Sequence, residues 1–172
     1  HKVTFQEIRP NSFMLPLNTK LEEILDAEDY IVQNYASQLV GDLFEPKSNQ
    51  KWWDCCCASG GKAIMLLDKN CQIDLTVSDI RYSIIKNLHA RMQRYGHGSH
   101  YRSYTADITS DTDFIGIKSI DNIIADVPCS GSGTWSSVPE QFYFNSEEKV
   151  LEYSELQFNI VMKAIEKLKL SG

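Results

Sequence analysis

The sequence Lys51-Trp52-Trp53-Asp54-Cys55-Cys56-Cys57-Ala58-Ser59-Gly60-Gly61-Lys62 reads as the end of a buried strand, a tight glycine turn and the start of a helix. Trp52 and Trp53 carry aromatic strand propensity, and Asp54 sits where such a strand ends. Gly60 and Gly61 allow positive φ and let backbone approach a ligand closely. From Gly61 to Lys69 the chain has helix formers (Lys62, Ala63, Met65, Leu66, Leu67) and no breaker. A glycine turn ahead of a helix offers backbone N–H groups to an anionic ligand group. Alone, the pattern fits any strand–turn–helix.

Its neighbours extend it into a fold. Downstream, residues 72–78 (Ile73, Leu75, Val77) form a second strand, closed by Asp79. Residues 83–95 form a helix ended by Gly96 and Gly98, and residues 101–105 a third strand leading to Asp107. Residues 109–116 are polar and loop-like. Residues 119–125 (Ile120, Ile123, Ile124) form a fourth strand ending at Asp126-Val127-Pro128-Cys129, and a last helix covers about 146–168. Upstream, Asn34 is a plausible N-cap for a helix through Phe44, and residues 30–33 are short and β-prone. Residues 1–28 are a lead-in in which Pro10 and Pro16 limit regular structure and Thr19 caps a short helix, 20–25. The domain boundaries expected are therefore 1–28 for the lead-in and 29–172 for the main domain.

Strands alternating with helices at this spacing predict an α/β fold, a Rossmann-like, mostly parallel sheet. Four strands end at or beside an acid: Asp54, Asp79, Asp107 and Asp126. Ligands of open α/β sheets bind beyond the carboxyl ends of strands, so these acids form one polar rim.

Composition narrows the class. The chain has 172 residues, 42% of them hydrophobic and 23% charged, as in ordinary globular domains. No apolar run is long enough for a transmembrane helix, and no basic-then-apolar leader opens the sequence, so a cytoplasmic protein without membrane contact is expected. Five cysteines, three of them contiguous and none in a CxxC pair, argue against a disulfide framework or a zinc site. Cys55 and Cys57 point to one face of a strand and Cys56 to the other, so the trio does not chelate one metal. The net charge is −6, yet residues 80–106 contain no Asp or Glu and carry Arg81, Lys86, Arg91, Arg94 and Arg102 with three histidines. That segment is a candidate phosphate-contacting face.

Asp79 follows the glycine turn at the distance that suits a ribose diol acceptor. No GxGxxG pattern is present, which counts against a nicotinamide oxidoreductase. In Asp126-Val-Pro-Cys-Ser-Gly-Ser-Gly133, Pro128 stiffens the turn and Cys129 stands beyond a strand end next to a carboxylate, an arrangement suited to covalent or proton-transfer chemistry.

Asp54-Cys-Cys-Cys-Ala-Ser-Gly-Gly-Lys62 resembles the D-x-C-A-A-P-G-G-K motif of the Sun-type RNA cytosine-5 methyltransferases. Asp126-Val-Pro-Cys-Ser-Gly-Ser-Gly133 with Pro139-Glu140 resembles their D-A-P-C-S-G-T-G…P-E segment. Tyr30-Ile-Val-Gln-Asn-Tyr-Ala-Ser-Gln38 is similar to their V-Q-D-x-A-S-Q, and Leu156-Gln157 to the L-Q of the following helix. The resemblance implies S-adenosylmethionine as cofactor and RNA, ribosomal or transfer, as partner. It implies that Cys56, Cys57, Ala58, Ser59, Gly60, Gly61 and Lys62 wrap the methionine and ribose portion. Asp79 would hold the ribose hydroxyls, Asp107 lie near the adenine, and Asp126 sit between cofactor and cytosine. A thiolate would add to carbon 6 of the base and carbon 5 would take the methyl group, with Cys129 as the second cysteine that helps the base leave. The target base must be flipped or single-stranded.

Three departures qualify these expectations. Ser59 replaces a proline and Cys57 an alanine. Trp135-Ser-Ser-Val138 stands where the family carries arginines. The family's threonine-cysteine motif, which carries the nucleophile, is not in this sequence, and neither are the last strands of the family's sheet. The chain by itself is therefore expected to bind cofactor weakly or not at all and not to methylate RNA. Two other readings remain: Cys129 as the attacking nucleophile, as in DNA cytosine-5 enzymes, and a degenerate, non-catalytic domain that binds RNA or protein.

Overall fold

The computed structural model describes residues 4–16, 18–110, 116–135 and 138–169. The chain divides into two compact units, His1–Val32 and Gln33–Gly172. In the first, β1 (Gln6–Arg9) and β2 (Ser12–Met14) pair antiparallel, Gln6 opposite Met14. Pro10 lies in the turn between them, and Asn11 takes the left-handed position there at φ 61, which asparagine tolerates. The lead-in is thus more regular than expected, because both strands end clear of the proline. Only a 3-10 turn, Leu21–Glu23, forms where a helix was expected over 20–25. Thr19 does not cap it: its hydroxyl donates to the Pro16 carbonyl (2.7 Å), and Lys20 holds the cap position. Residues 30–33 form neither strand nor helix.

The second unit opens with α1 (Tyr35–Asp42), where Asn34 Oδ1 accepts the Ala36 N–H at 2.8 Å as an N-cap. There follow β3 (Lys51–Asp54), α2 (Gly61–Lys69), β4 (Asp74–Asp79), α3 (Tyr82–Arg94) and β5 (Tyr101–Thr105). The chain then runs through β6 (Asn122–Ile124), α4 (Glu140–Tyr143) and α5 (Glu147–Ile165), the last capped by the Ser146 hydroxyl. The sheet order is β5-β4-β3-β6 and every pairing in it is parallel. This is the doubly wound arrangement that the strand–helix alternation predicts.

β6 is shorter than the expected 119–125. Ser119 takes φ 54, Asp121 N–H still donates to Lys51 of β3 (3.0 Å), and Ile120 bonds on the opposite edge. Its N–H donates to Lys167 (2.9 Å) and its carbonyl accepts from Lys169 (2.8 Å), so Leu168 bridges to it in parallel. The expected loop 109–116 falls largely on residues 111–115, outside the described residues, as do Ser136 and Ser137.

Alternation along β3 sends consecutive tryptophans to opposite faces. Trp53, fully buried, joins Cys55, Ala106, Ile108, Ile117 and Ile120 and packs under α5 through Ile160 and Ala164. Trp52 meets Phe44 edge-on at 6.0 Å beyond α1. Trp53 Nε1 donates to Ser78 Oγ and Ser78 Oγ to the Cys55 carbonyl, both at 3.0 Å, so the buried indole satisfies its one donor and ties β3 to β4. Among the described residues no helix is long and apolar enough to cross a membrane.

Candidate functional site

The turn between β3 and α2 is held from below by backbone. Cys55 N–H donates to Ile124 (3.0 Å), Cys57 N–H to Ser78 (2.9 Å) and Gly60 N–H to Cys57 (2.8 Å). Two residues of this turn are left-handed, Ala58 at φ 44 and Gly60 at φ 84. Only the second is a glycine, so Ala58 is held against its preference. The first intrahelical bond of α2 runs from Ile64 N–H to the Gly60 carbonyl (2.8 Å). The amides of Gly61, Lys62 and Ala63 therefore precede the helix ladder and have no intrahelical acceptor. Cys55 and Cys57 are buried and Cys56 is half-buried, but all three lie in the turn after β3, which ends at Asp54, so their burial comes from the turn and not from the strand alternation expected. Burial and the negative charges of Asp54 and Asp79 push the Cys57 thiol up, so it stays a neutral thiol. Among the described residues no three His, Cys, Asp or Glu side chains gather as a metal site.

The four acids differ in environment. Asp54 is fully buried under the turn, and its Oδ1 has no hydrogen-bond partner among the described residues. Burial, then the charge of Asp126, push its carboxyl up to about 7, against the opposing charge of Lys62. Asp79 closes β4. Its Oδ1 accepts from Arg81 N–H (3.0 Å) and Arg81 Nε (2.9 Å), and its Oδ2 from Arg81 Nη2 (3.0 Å) and the Ala58 N–H (3.1 Å). Burial raises the Asp79 carboxyl, but the hydrogen bonds and charge of Arg81 outweigh it and hold it below the usual carboxylate range. Asp107 shapes its own loop: Oδ1 accepts from Thr109 N–H (2.9 Å) and the Thr109 hydroxyl (2.7 Å), and the hydroxyl in particular lowers its carboxyl. Asp126, half-exposed, accepts from Lys62 Nζ at 2.5 Å.

That last contact joins the two motif stretches. Lys62 comes from the first turn of α2, Asp126 from the loop after β6, and the pairing of β6 with β3 brings them together. Cys129 is exposed three positions on. Its loop is fixed by α5, where Gln157 Nε2 donates to the Pro128 carbonyl at 2.8 Å. Gln157 and Leu156, which packs on the core cluster, were legible only as a motif match, not as loop anchors.

The basic face expected over residues 80–106 is largely used inside the protein. Arg81 is spent on Asp79, and Arg102 Nη2 on Asp74 (2.6 Å). Arg91 Nη1 donates to both the Ser59 carbonyl (2.8 Å) and the Ser59 hydroxyl (2.6 Å). His89 sits between Tyr101 and Ser103, and His97 pairs with Asp68. Lys86 and Arg94 are exposed, and so, despite their partners, are the side chains of Arg81 and Arg102. The uniform positive stripe breaks up because the acids on adjacent strands and turns lie within reach of it, which residue order does not display.

Comparison with known proteins agrees with this geometry. The family model for the 16S rRNA methyltransferase RsmB/F matches residues 42–172. Ribosomal RNA small subunit methyltransferase B of Yersinia enterocolitica and that of Serratia proteamaculans are each 26% identical to this chain over 141 residues. The match covers 82% of this chain and 32% of theirs, so the chain spans about a third of the length of these curated relatives. Among solved structures, PH0851 superposes with a TM-score of 0.84 at 25% identity, covering 99% of this chain and 39% of that one. NSun6 from Pyrococcus horikoshii, solved with SFG, superposes at 0.75 with 21% identity over 93% of this chain and 40% of its own. A Rossmann-like methyltransferase sheet, both motif stretches joined at its strand ends and a family match over most of the sequence lead to one assignment: this chain belongs to the RsmB/F family of 16S rRNA methyltransferases.

Proposed function

We propose that this chain supplies the S-adenosylmethionine-binding part of an enzyme that methylates carbon 5 of cytosine in ribosomal or transfer RNA. The observation that carries the reading is the Lys62–Asp126 contact, which sets the glycine turn and the Pro128–Cys129 loop against each other at one end of the sheet. Half-exposed pairs of this kind contribute about 0–1 kcal/mol to stability, so the contact matters for placement.

The residues fit the cofactor. The first-turn amides of α2, which have no intrahelical acceptor, suit the carboxylate of its methionine end, and Cys56 through Lys62 form the wrapping turn. Asp79 is the carboxylate placed for the ribose hydroxyls and Asp107 lies toward the adenine side. When bound, S-adenosylmethionine provides the methyl group. On the protein side, Asp126 orients the base and takes up Lys62 as a counter-charge, and the exposed Cys129 thiol assists release of the base after transfer. None of the five cysteines follows a threonine, so none of them matches the attacking nucleophile that the family resemblance implies.

Calorimetry with S-adenosylhomocysteine tests the reading. Weak saturable binding is expected for this chain, tighter binding for one continued through a threonine-cysteine segment, and no methyl transfer to RNA by residues 1–172 alone. Asp79→Ala should abolish the binding. If neither chain binds, the second reading, a non-catalytic domain, takes first place. One observation favours it: both oxygens of Asp79 are already satisfied by Arg81 and Ala58.

A further inference from the structure

Ser59 stands between two left-handed residues, Ala58 at φ 44 and Gly60 at φ 84. A non-glycine residue at positive φ costs about 1–3 kcal/mol and persists only where its surroundings over-determine it. Backbone bonds hold the two ends of the turn, at Cys57 and Gly60, and Asp79 holds the Ala58 amide. The middle is held by α3. Arg91 Nη1 has two hydrogens and both go to Ser59, one to the carbonyl at 2.8 Å and one to the hydroxyl at 2.6 Å. The same helix supports the turn from beneath. A Cβ on Gly60 would stand 3.2 Å from Leu88 Cδ1 and 3.5 Å from Met92 Cε, and both side chains are fully buried. Three residues within two turns of α3 therefore grip two consecutive residues of the loop.

We infer that Arg91 is a positioning residue for the cofactor loop: it clamps Ser59 so that the turn keeps its left-handed conformation at Ala58 and Gly60 ahead of the first-turn amides of α2. The inference rests on the reading of that turn as the cofactor site. It assigns a task to the serine that stands in place of the family's proline, since a proline ring has no hydroxyl to accept the second bond. It commits Arg91 Nη1 to the turn and leaves at most Nε and Nη2 for any phosphate.

The test compares wild type with Arg91→Met, Arg91→Lys, Ser59→Ala and, as a control on the exposed face, Arg94→Glu. Amide hydrogen exchange read over residues 57–63 needs no ligand. Arg91→Met is expected to speed exchange there about tenfold while β4 and β5 stay protected. Arg91→Lys, which offers an ammonium to the same two acceptors, should restore most of the protection. Ser59→Ala, which keeps the carbonyl, should give a smaller increase. S-adenosylhomocysteine affinity should fall about tenfold in Arg91→Met and stay near wild type in Arg94→Glu. Loop exchange unchanged in Arg91→Met would overturn the clamp. Wild type that binds no S-adenosylhomocysteine would count against the cofactor reading alone, and the exchange data would still judge the clamp.

Discussion

Ser59 gives the sharpest residue-level contrast between motif and structure. Replacing it with proline would restore the family's pattern, so motif matching predicts a gain. The backbone predicts a loss. The residue before a proline is pushed toward extended conformations, and Ala58 sits at φ 44. Ser59→Pro also deletes the hydroxyl that Arg91 holds. The expected outcome is destabilisation by about 1–3 kcal/mol, read as a lower urea midpoint with an unchanged slope. Asp54 gives a pH-dependent case. Its carboxyl is raised to about 7 in the folded chain, so the folded state holds a proton that the unfolded state has released. Stability from this group is full below the ordinary aspartate range and is lost as pH rises through about 7. The loss, about three pH units' worth, comes to about 4 kcal/mol. Asp54→Asn is therefore expected to raise the thermal midpoint relative to wild type at pH 8 and to change it little at pH 4; equal shifts at both would sink the assignment. The acidic identity of Asp54, Asp79, Asp107 and Asp126 was readable because strand ends are marked by pattern. Their partners were not: Arg81, the partner of Asp79, and Arg91, the partner of Ser59, read as a surface stripe, since nothing in residue order says which side chains fold back onto which turn.

Elements were legible where periodicity is long. α2, α3, α5 and β5 fall within a few residues of their expected bounds, and the Asn34 cap of α1 is where the side-chain chemistry put it. The hairpin β1–β2 and the shortened β6 were not legible. The hairpin depends on Asn11 entering the left-handed region, and the start of β6 on the turn at Ser119, where Ile120 bonds Lys167 and Lys169 on the edge opposite β3. Both are choices among partners rather than local preferences. The junction of α2 with α3 supports a further test. Gly60 and Gly96 are both left-handed, at φ 84 and φ 77, but only Gly60 has neighbours where a Cβ would go. Gly96→Ala should cost only the backbone strain, about 1–2 kcal/mol. Gly60→Ala should cost that plus the displacement of Leu88. A larger loss at Gly60 in denaturant titrations supports α3 as the floor of the turn, and equal losses would contradict it.

The molecule as a whole sets an order of assembly. β3, β4 and β5 are neighbours both in sequence and in the sheet, so each pairing closes a short loop. β6 joins the other side of β3 across a separation of 70 residues, measured at the Lys51–Asp121 contact, and long closures are entropically late. Leu75→Ala in β4 is expected to slow folding, whereas Ile124→Ala in β6 should mainly speed unfolding. The reverse pattern in stopped-flow refolding would reject that order. Lys62 belongs to the part that forms early and Asp126 to the strand that arrives late. A newly synthesised chain therefore has a packed sheet before it has a site, and any agent that peels β6 away disarms the protein while leaving most of it folded.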